Sequence, residues 1–241
     1  MPYIQSGGAS IHYLEVGTGY PMLLLAPGGL NSSIARWESA TINPLVEFID
    51  DYHLIAMDQR NAGDSRAPFP VDNPWETYLR DQCELMDALG YTRFHLLGCC
   101  IGCSFALKLA LACPDRVSAV VLEQPMGLIP ENHQGWRDRC HSWVREVAAE
   151  RPDLDESIGH RSVEEMWSQD FVASLTRSEV ATIYVPTCVL PGIDEIHPTA
   201  VGFEIAELIS GATTISPWKY SAEHARDATR KIREFLVAHT P

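Results

Sequence analysis

The stretch Leu96-Leu97-Gly98-Cys99-Cys100-Ile101-Gly102-Cys103-Ser104-Phe105-Ala106-Leu107 constrains this chain more than any other. An apolar strand breaks at one glycine, turns over Cys100 and resumes after a second glycine as a helix. A Gly-x-Cys-x-Gly spacing is what a tight strand-to-helix elbow requires, because strand and helix approach so closely that side chains flanking the turn must be absent. A thiol on such a turn sits at a helix N-terminus, where unpaired N–H groups and the helix dipole favour an anion, so its thiolate is expected to form more easily than that of a free cysteine. The backbone N–H of Ile101 points toward whatever the sulfur attacks and would make half of an oxyanion hole. The same residue also reads as a small buried hydrophobe, since free cysteine packs as one.

The rest of the chain supplies a setting for the elbow. Its 241 residues, 46% hydrophobic, are enough for a sizeable core in a single domain over residues 1–241. A net charge of −14 argues against nucleic acid or an anionic membrane as partner, both of which demand Lys and Arg. No apolar run reaches membrane-spanning length, and the opening Met1-Pro2-Tyr3-Ile4-Gln5-Ser6 has neither a basic start nor an apolar segment, so a cytoplasmic protein is expected. Seven cysteines, an odd number, then read as reduced thiols rather than a disulfide framework.

Tyr3 to Ser6 and Ala9 to Val16 flank Gly7-Gly8 as a hairpin. Met22 to Ala26 is a short buried strand that ends in Pro27-Gly28-Gly29-Leu30-Asn31-Ser32-Ser33, a Gly-rich turn without the lysine of a phosphate loop. A helix is expected from Ile34 to about Phe48, a strand over His53 to Met57, and a polar loop over Asp58-Gln59-Arg60-Asn61-Ala62-Gly63-Asp64-Ser65. Trp75 to Leu89 carries apolar residues at three-and-four spacing and Gly90 just beyond its end, as a helix does. After the elbow helix, Ile101 to about Ala112, comes the strand Val117 to Leu122. Strands alternating with helices imply right-handed crossovers and a mostly parallel sheet. Between Pro125 and Pro186 the alternation fails, and a helical lid over residues 126–184, bearing Trp136, Trp143 and Trp167, is expected, with two helices of the ordinary core as the alternative that leaves the same pattern. The alternation resumes with a strand at Val185 to Leu190, a helix from about Thr199 to Ile209, a short strand over Thr213 to Ile215 and a terminal helix opened by His224.

At this point the chain resembles an α/β-hydrolase over essentially its full length. The Gly28-Gly29 turn sits where that family has its oxyanion loop, although Pro27 replaces the usual His. The loop from Asp58 to Ser65 is similar to the family's Asp-x-Arg-Gly-x-Gly-x-Ser, and the elbow, Asp194 and His224 follow in the family's order of nucleophile, acid and base. The resemblance implies an α/β fold with helices on both faces of the sheet. It makes Cys100 the nucleophile, His224 the general base and Asp194 the carboxylate that orients it. The N–H of Gly29, with Leu30 as the alternative, would join that of Ile101 in the oxyanion hole. Glu123, at the end of the sixth strand, and His197, three residues beyond Asp194, rank second. No cofactor or metal is called for. The partner is a small-molecule acyl substrate, and the sequence is silent on oligomeric state.

Cysteine in place of serine resembles the dienelactone hydrolases at the elbow alone. A thiolate leaves a tetrahedral intermediate more readily than most alkoxides, so activated esters, lactones and thioesters suit it better than amides or alkyl esters. The expectation is therefore a hydrolase acting through an S-acyl intermediate. Alternatives are an acyltransferase, a ligand receptor, or a redox protein using Cys100-Ile101-Gly102-Cys103, in which Cys103 would resolve an oxidised Cys100.

Overall fold

The computed structural model describes residues 2–168 and 171–241. Its centre is an eight-stranded sheet in the order β1-β2-β4-β3-β5-β6-β7-β8. Strands β1 (Tyr3–Ser6) and β2 (Ala9–Val16) form the expected hairpin, and β2 runs antiparallel to β4 (Tyr52–Met57). From there β3 (Tyr20–Leu25), β5 (Phe94–Cys99), β6 (Val117–Glu123), β7 (Thr187–Leu190) and β8 (Thr213–Thr214) pair in parallel. Every residue of β5 and β6 is buried, as expected for central strands covered on both faces. Full burial of each large aliphatic side chain contributes about 1.5–3 kcal/mol, so these two strands and their neighbours hold the scaffold on which the elbow is mounted.

Helix α1 (Pro44–Glu47) is much shorter than the sequence suggests. The stretch from Ile34 splits into a 3₁₀ segment, Ile34–Ser39, and this single turn. Pro44 accounts for the split, because it disfavours helical geometry in the residue before it, and Asn43 instead caps the new turn by accepting the Leu45 N–H at 3.0 Å. Helices α2 (Pro74–Ala88) and α3 (Ile101–Ala112) follow the expected spans, with α3 packed on β3, β5 and β6.

The segment between β6 and β7 holds α4 (His133–Glu150), α5 (Glu156–Met166) and the one-turn α6 (Arg177–Val180). Helix α4 packs against α5 and crosses the Gly29–Asn31 turn that follows β3. Three tryptophans of this segment lie together: Trp136 stacks on Trp167 at 4.6 Å, with Trp143 at 6.0 and 6.2 Å from the two. Helices α7 (Thr199–Leu208) and α8 (Ala222–Ala238) complete the layers, and Ser221 caps α8 by accepting the N–H of His224. Among the described residues no helix is long and apolar enough to cross a membrane.

Candidate active site

The elbow forms as its spacing requires. Cys100 has φ 57° and ψ −119°, a conformation that costs a non-glycine residue on the order of 1–3 kcal/mol. Its neighbours hold it there: its N–H donates to Glu123 O at 3.0 Å, and its carbonyl accepts the Cys103 N–H at 3.1 Å. A methyl group on Gly98 would lie 2.3 Å from Gly102 O, and one on Gly102 would lie 1.9 Å from Leu25 O. Both glycines are therefore fixed by the contact of α3 with β3 and β5.

The Cys100 side chain is 8% exposed. Burial pushes its thiol up to about 11, against hydrogen bonding from the Gly28 and Ile101 backbone and the charge of Arg139, while Asp194 adds to the rise. The easier ionisation expected from the helix N-terminus is thus corrected: desolvation outweighs the dipole, and the resting group at neutral pH is a thiol that needs a base. The Ile101 N–H reaches the sulfur as expected. The oxyanion-loop N–H that does so belongs to Gly28, one residue before the expected Gly29, whose own Cα faces the Trp143 ring closely enough that a Cβ would lie 2.5 Å from it. Leu30 is buried in the core beside this turn.

Asp194, in the loop after β7, holds His197 rather than His224. Its carboxylate accepts from His197 Nδ1 at 2.8 and 3.0 Å, and from the backbone N–H groups of Ile196 and His197 at 3.0 and 2.9 Å. Burial works to raise the Asp194 carboxyl, but its bonds with His197 and the charge of Lys219 hold it below its ordinary value. His197 is itself lowered, first by burial and then by Lys219 and Arg139, against the pull of Asp194. Its Nε2 is buried with no hydrogen-bond partner. Asp194 and Arg139 act electrostatically on both Cys100 and His197.

His224 stands in the first turn of α8, edge-on to Tyr220 at 6.2 Å, with Nδ1 buried and unpartnered. The hydrogen bond expected between Asp194 and His224 is not formed among the described residues. Glu123 is fully buried with neither carboxylate oxygen hydrogen-bonded, and burial pushes it well above its ordinary value, only partly offset by Lys219. Burial thus favours its protonated form, and it makes no hydrogen bond to a histidine among the described residues. Cys103 is buried beneath the elbow, its Sγ 3.2 Å from both Gly98 O and Glu123 O, a packing that disfavours the resolving role expected for it.

Two residues of this group were missed in the sequence. Lys219, in the β8–α8 connection, lies 3.8 Å from Asp194 Oδ2, and Arg139 comes from α4, where it lines a small cavity with Asn132, Trp136 and Ile196. Lys219 stands shortly before His224, the expected base, whereas Arg139 had no signal in the sequence, because its approach depends on how the segment between β6 and β7 folds.

A buried thiol stands on a strained strand-to-helix turn atop a mostly parallel sheet, and an Asp–His pair stands in the loop after β7. A family model described as "alpha/beta hydrolase fold" matches residues 21–159, more than half of the chain, and the chain belongs to that family. Among curated relatives, the protein named "Putative carbamate hydrolase RutD" of Klebsiella pneumoniae (strain 342) is 37% identical over 71 residues, 30% of this chain and 27% of that one. The 2-hydroxy-6-oxo-6-phenylhexa-2,4-dienoate hydrolase of Comamonas testosteroni is 32% identical over 120 residues, 49% of this chain and 41% of the relative. Both matches span less than half of the relative's length. The fold is similar over 98% of this chain and all of the enol-lactonase from Burkholderia xenovorans LB400, with a TM-score of 0.67 at 21% identity.

Proposed function

We propose that this protein is a hydrolase that cleaves an activated ester, lactone or thioester through an S-acyl intermediate on Cys100. The observation that carries the reading is the placement of the Cys100 sulfur on the strained elbow, with the Ile101 and Gly28 backbone groups directed at it. Because the resting group is a thiol, attack requires a base. His197 is the better supported of the two candidates, since Asp194 already holds its Nδ1 and leaves Nε2 free to accept a proton. His224 is the second, on the strength of its buried, unpartnered Nδ1.

In this mechanism the imidazole takes the Cys100 proton as sulfur adds to the substrate carbonyl. The resulting oxyanion lies against the Ile101 and Gly28 N–H groups, and Asp194 stabilises the imidazolium. Collapse expels the alkoxide or thiolate, which takes the proton from the imidazolium and leaves a thioester on Cys100. Water, deprotonated by the same imidazole, attacks that thioester and returns the thiol. The hydrolase, enol-lactonase and dienoate-hydrolase names of the similar proteins support carbonyl cleavage as the reaction class.

Turnover of p-nitrophenyl acetate, phenyl thioacetate and an enol lactone tests the reading. Cys100→Ala should abolish it, and His197→Ala should reduce it by roughly a hundredfold to ten-thousandfold while His224→Ala has little effect. The opposite histidine pattern assigns the base to His224, and full activity in Cys100→Ala overturns the proposal.

A further inference from the structure

Lys219 sits where three elements meet. It leaves the β8–α8 connection, its side chain is 13% exposed, and its Nζ lies 5.5 Å from the Trp218 ring centroid. The ammonium donates to Gln124 Oε1 at the end of β6, where Gln124 adopts φ 44° and donates in turn to Cys99 Sγ at 3.6 Å. On its other side it faces Asp194 Oδ2 at 3.8 Å. The tether to β6 is a neutral amide, so the carboxylate that faces this ammonium is that of Asp194.

We propose that Lys219 is a positioning residue that poises the Asp194–His197 pair: held by Gln124, its ammonium faces the Asp194 carboxylate and favours the uncharged, proton-accepting imidazole of His197. The inference rests on reading that pair as the acid and base of the proposed hydrolase. Charged and titratable groups acting on the pair come from each neighbouring element: Lys219 from the β8–α8 connection, Arg139 from α4 and Cys100 from the elbow. Lys219 and Arg139 both oppose a proton on His197, whereas Asp194 favours one. Removing Lys219 therefore eases protonation of His197. It does so without freeing the carboxylate, because the N–H groups of Ile196 and His197 still hold Asp194 Oδ1.

The test is an NMR titration of the full chain carrying labelled histidine, with the His197 resonance assigned by its absence in His197→Ala. Lys219→Met should move the His197 midpoint to higher pH, with Lys219→Gln as the second variant should Met not fold, and Lys219→Arg should restore the wild-type value. The acid limb of the pH profile for p-nitrophenyl acetate hydrolysis should move with the midpoint. A midpoint that stays or falls in both Lys219→Met and Lys219→Gln overturns the proposal. If the midpoint rises while His197→Ala keeps full activity, Lys219 still poises His197 but the base has been misassigned, so the two failures are distinguishable.

Discussion

Alkylation of Cys100 should follow the ionisation of a buried thiol. Burial lifts this group from an ordinary value of 9.0 to about 11, which corresponds to about 2.7 kcal/mol against the thiolate. At pH 7 roughly one Cys100 in ten thousand is then ionised, against about one in a hundred for a thiol at the ordinary value. Iodoacetamide labelling from pH 6 to pH 10, quantified on the Cys100 peptide by tandem mass spectrometry, should give a rate that rises about tenfold per pH unit with no plateau in that range. The slope with pH is the readout, taken over the range in which circular dichroism shows the fold intact. Burial also pushes the Cys99 and Cys103 thiols well above their ordinary value. A plateau near neutral pH would refute the reasoning, since it would mean that a resting thiolate–imidazolium pair overcomes desolvation.

Further outcomes follow from the same geometry. Gly102→Ala should cost about 3 kcal/mol or more, because its Cβ would lie 1.9 Å from Leu25 O and backbone cannot yield as a side chain can; a melting temperature within a degree of wild type contradicts this. Glu123, raised by burial, keeps in the folded protein a proton that the unfolded chain releases above its ordinary value of 4.5. Stability should therefore fall as pH rises from there toward the folded value, by at most about 1.4 kcal/mol per unit, and Glu123→Gln should flatten that slope in urea melts at pH 5 and pH 7.5. Diamide should cross-link Cys83 to Cys113, whose sulfurs lie 3.8 Å apart and half-buried, in preference to Cys100 and Cys103; peptide mapping that finds the elbow pair instead refutes this order.

The elbow was legible in the sequence because its constraint is steric and local: Gly98 and Gly102 are spaced by the approach of α3 to β3 and β5, and no other residue fits. The central strands were legible for a similar reason, since burial on both faces demands unbroken apolar runs such as Leu96-Leu97 and Val120-Val121. The helix expected after Ile34 failed at Pro44, a local signal that an apolar pattern had outweighed. At the site, Cys100 and Asp194 could be placed because strand ends locate them. The partner of Asp194 could not, because His197 and His224 both lie near strand ends and only the turn of the 194–197 loop brings one imidazole onto the carboxylate. The thiol's ionisation was misjudged because the sequence reveals the helix N-terminus but not the depth of burial, and burial is the larger effect.

In the proposed mechanism Cys100 carries the acyl group. The most direct measurement is acid-quenched mass spectrometry after brief exposure to phenyl thioacetate, with the modified residue located by peptide sequencing under acidic conditions that preserve thioesters. The account predicts an acetyl mass on Cys100 that forms within the first turnover, decays with the steady-state rate and is absent from Cys100→Ala. Hydrolysis that proceeds in Cys100→Ala, or an acyl mass on a different residue, contradicts it.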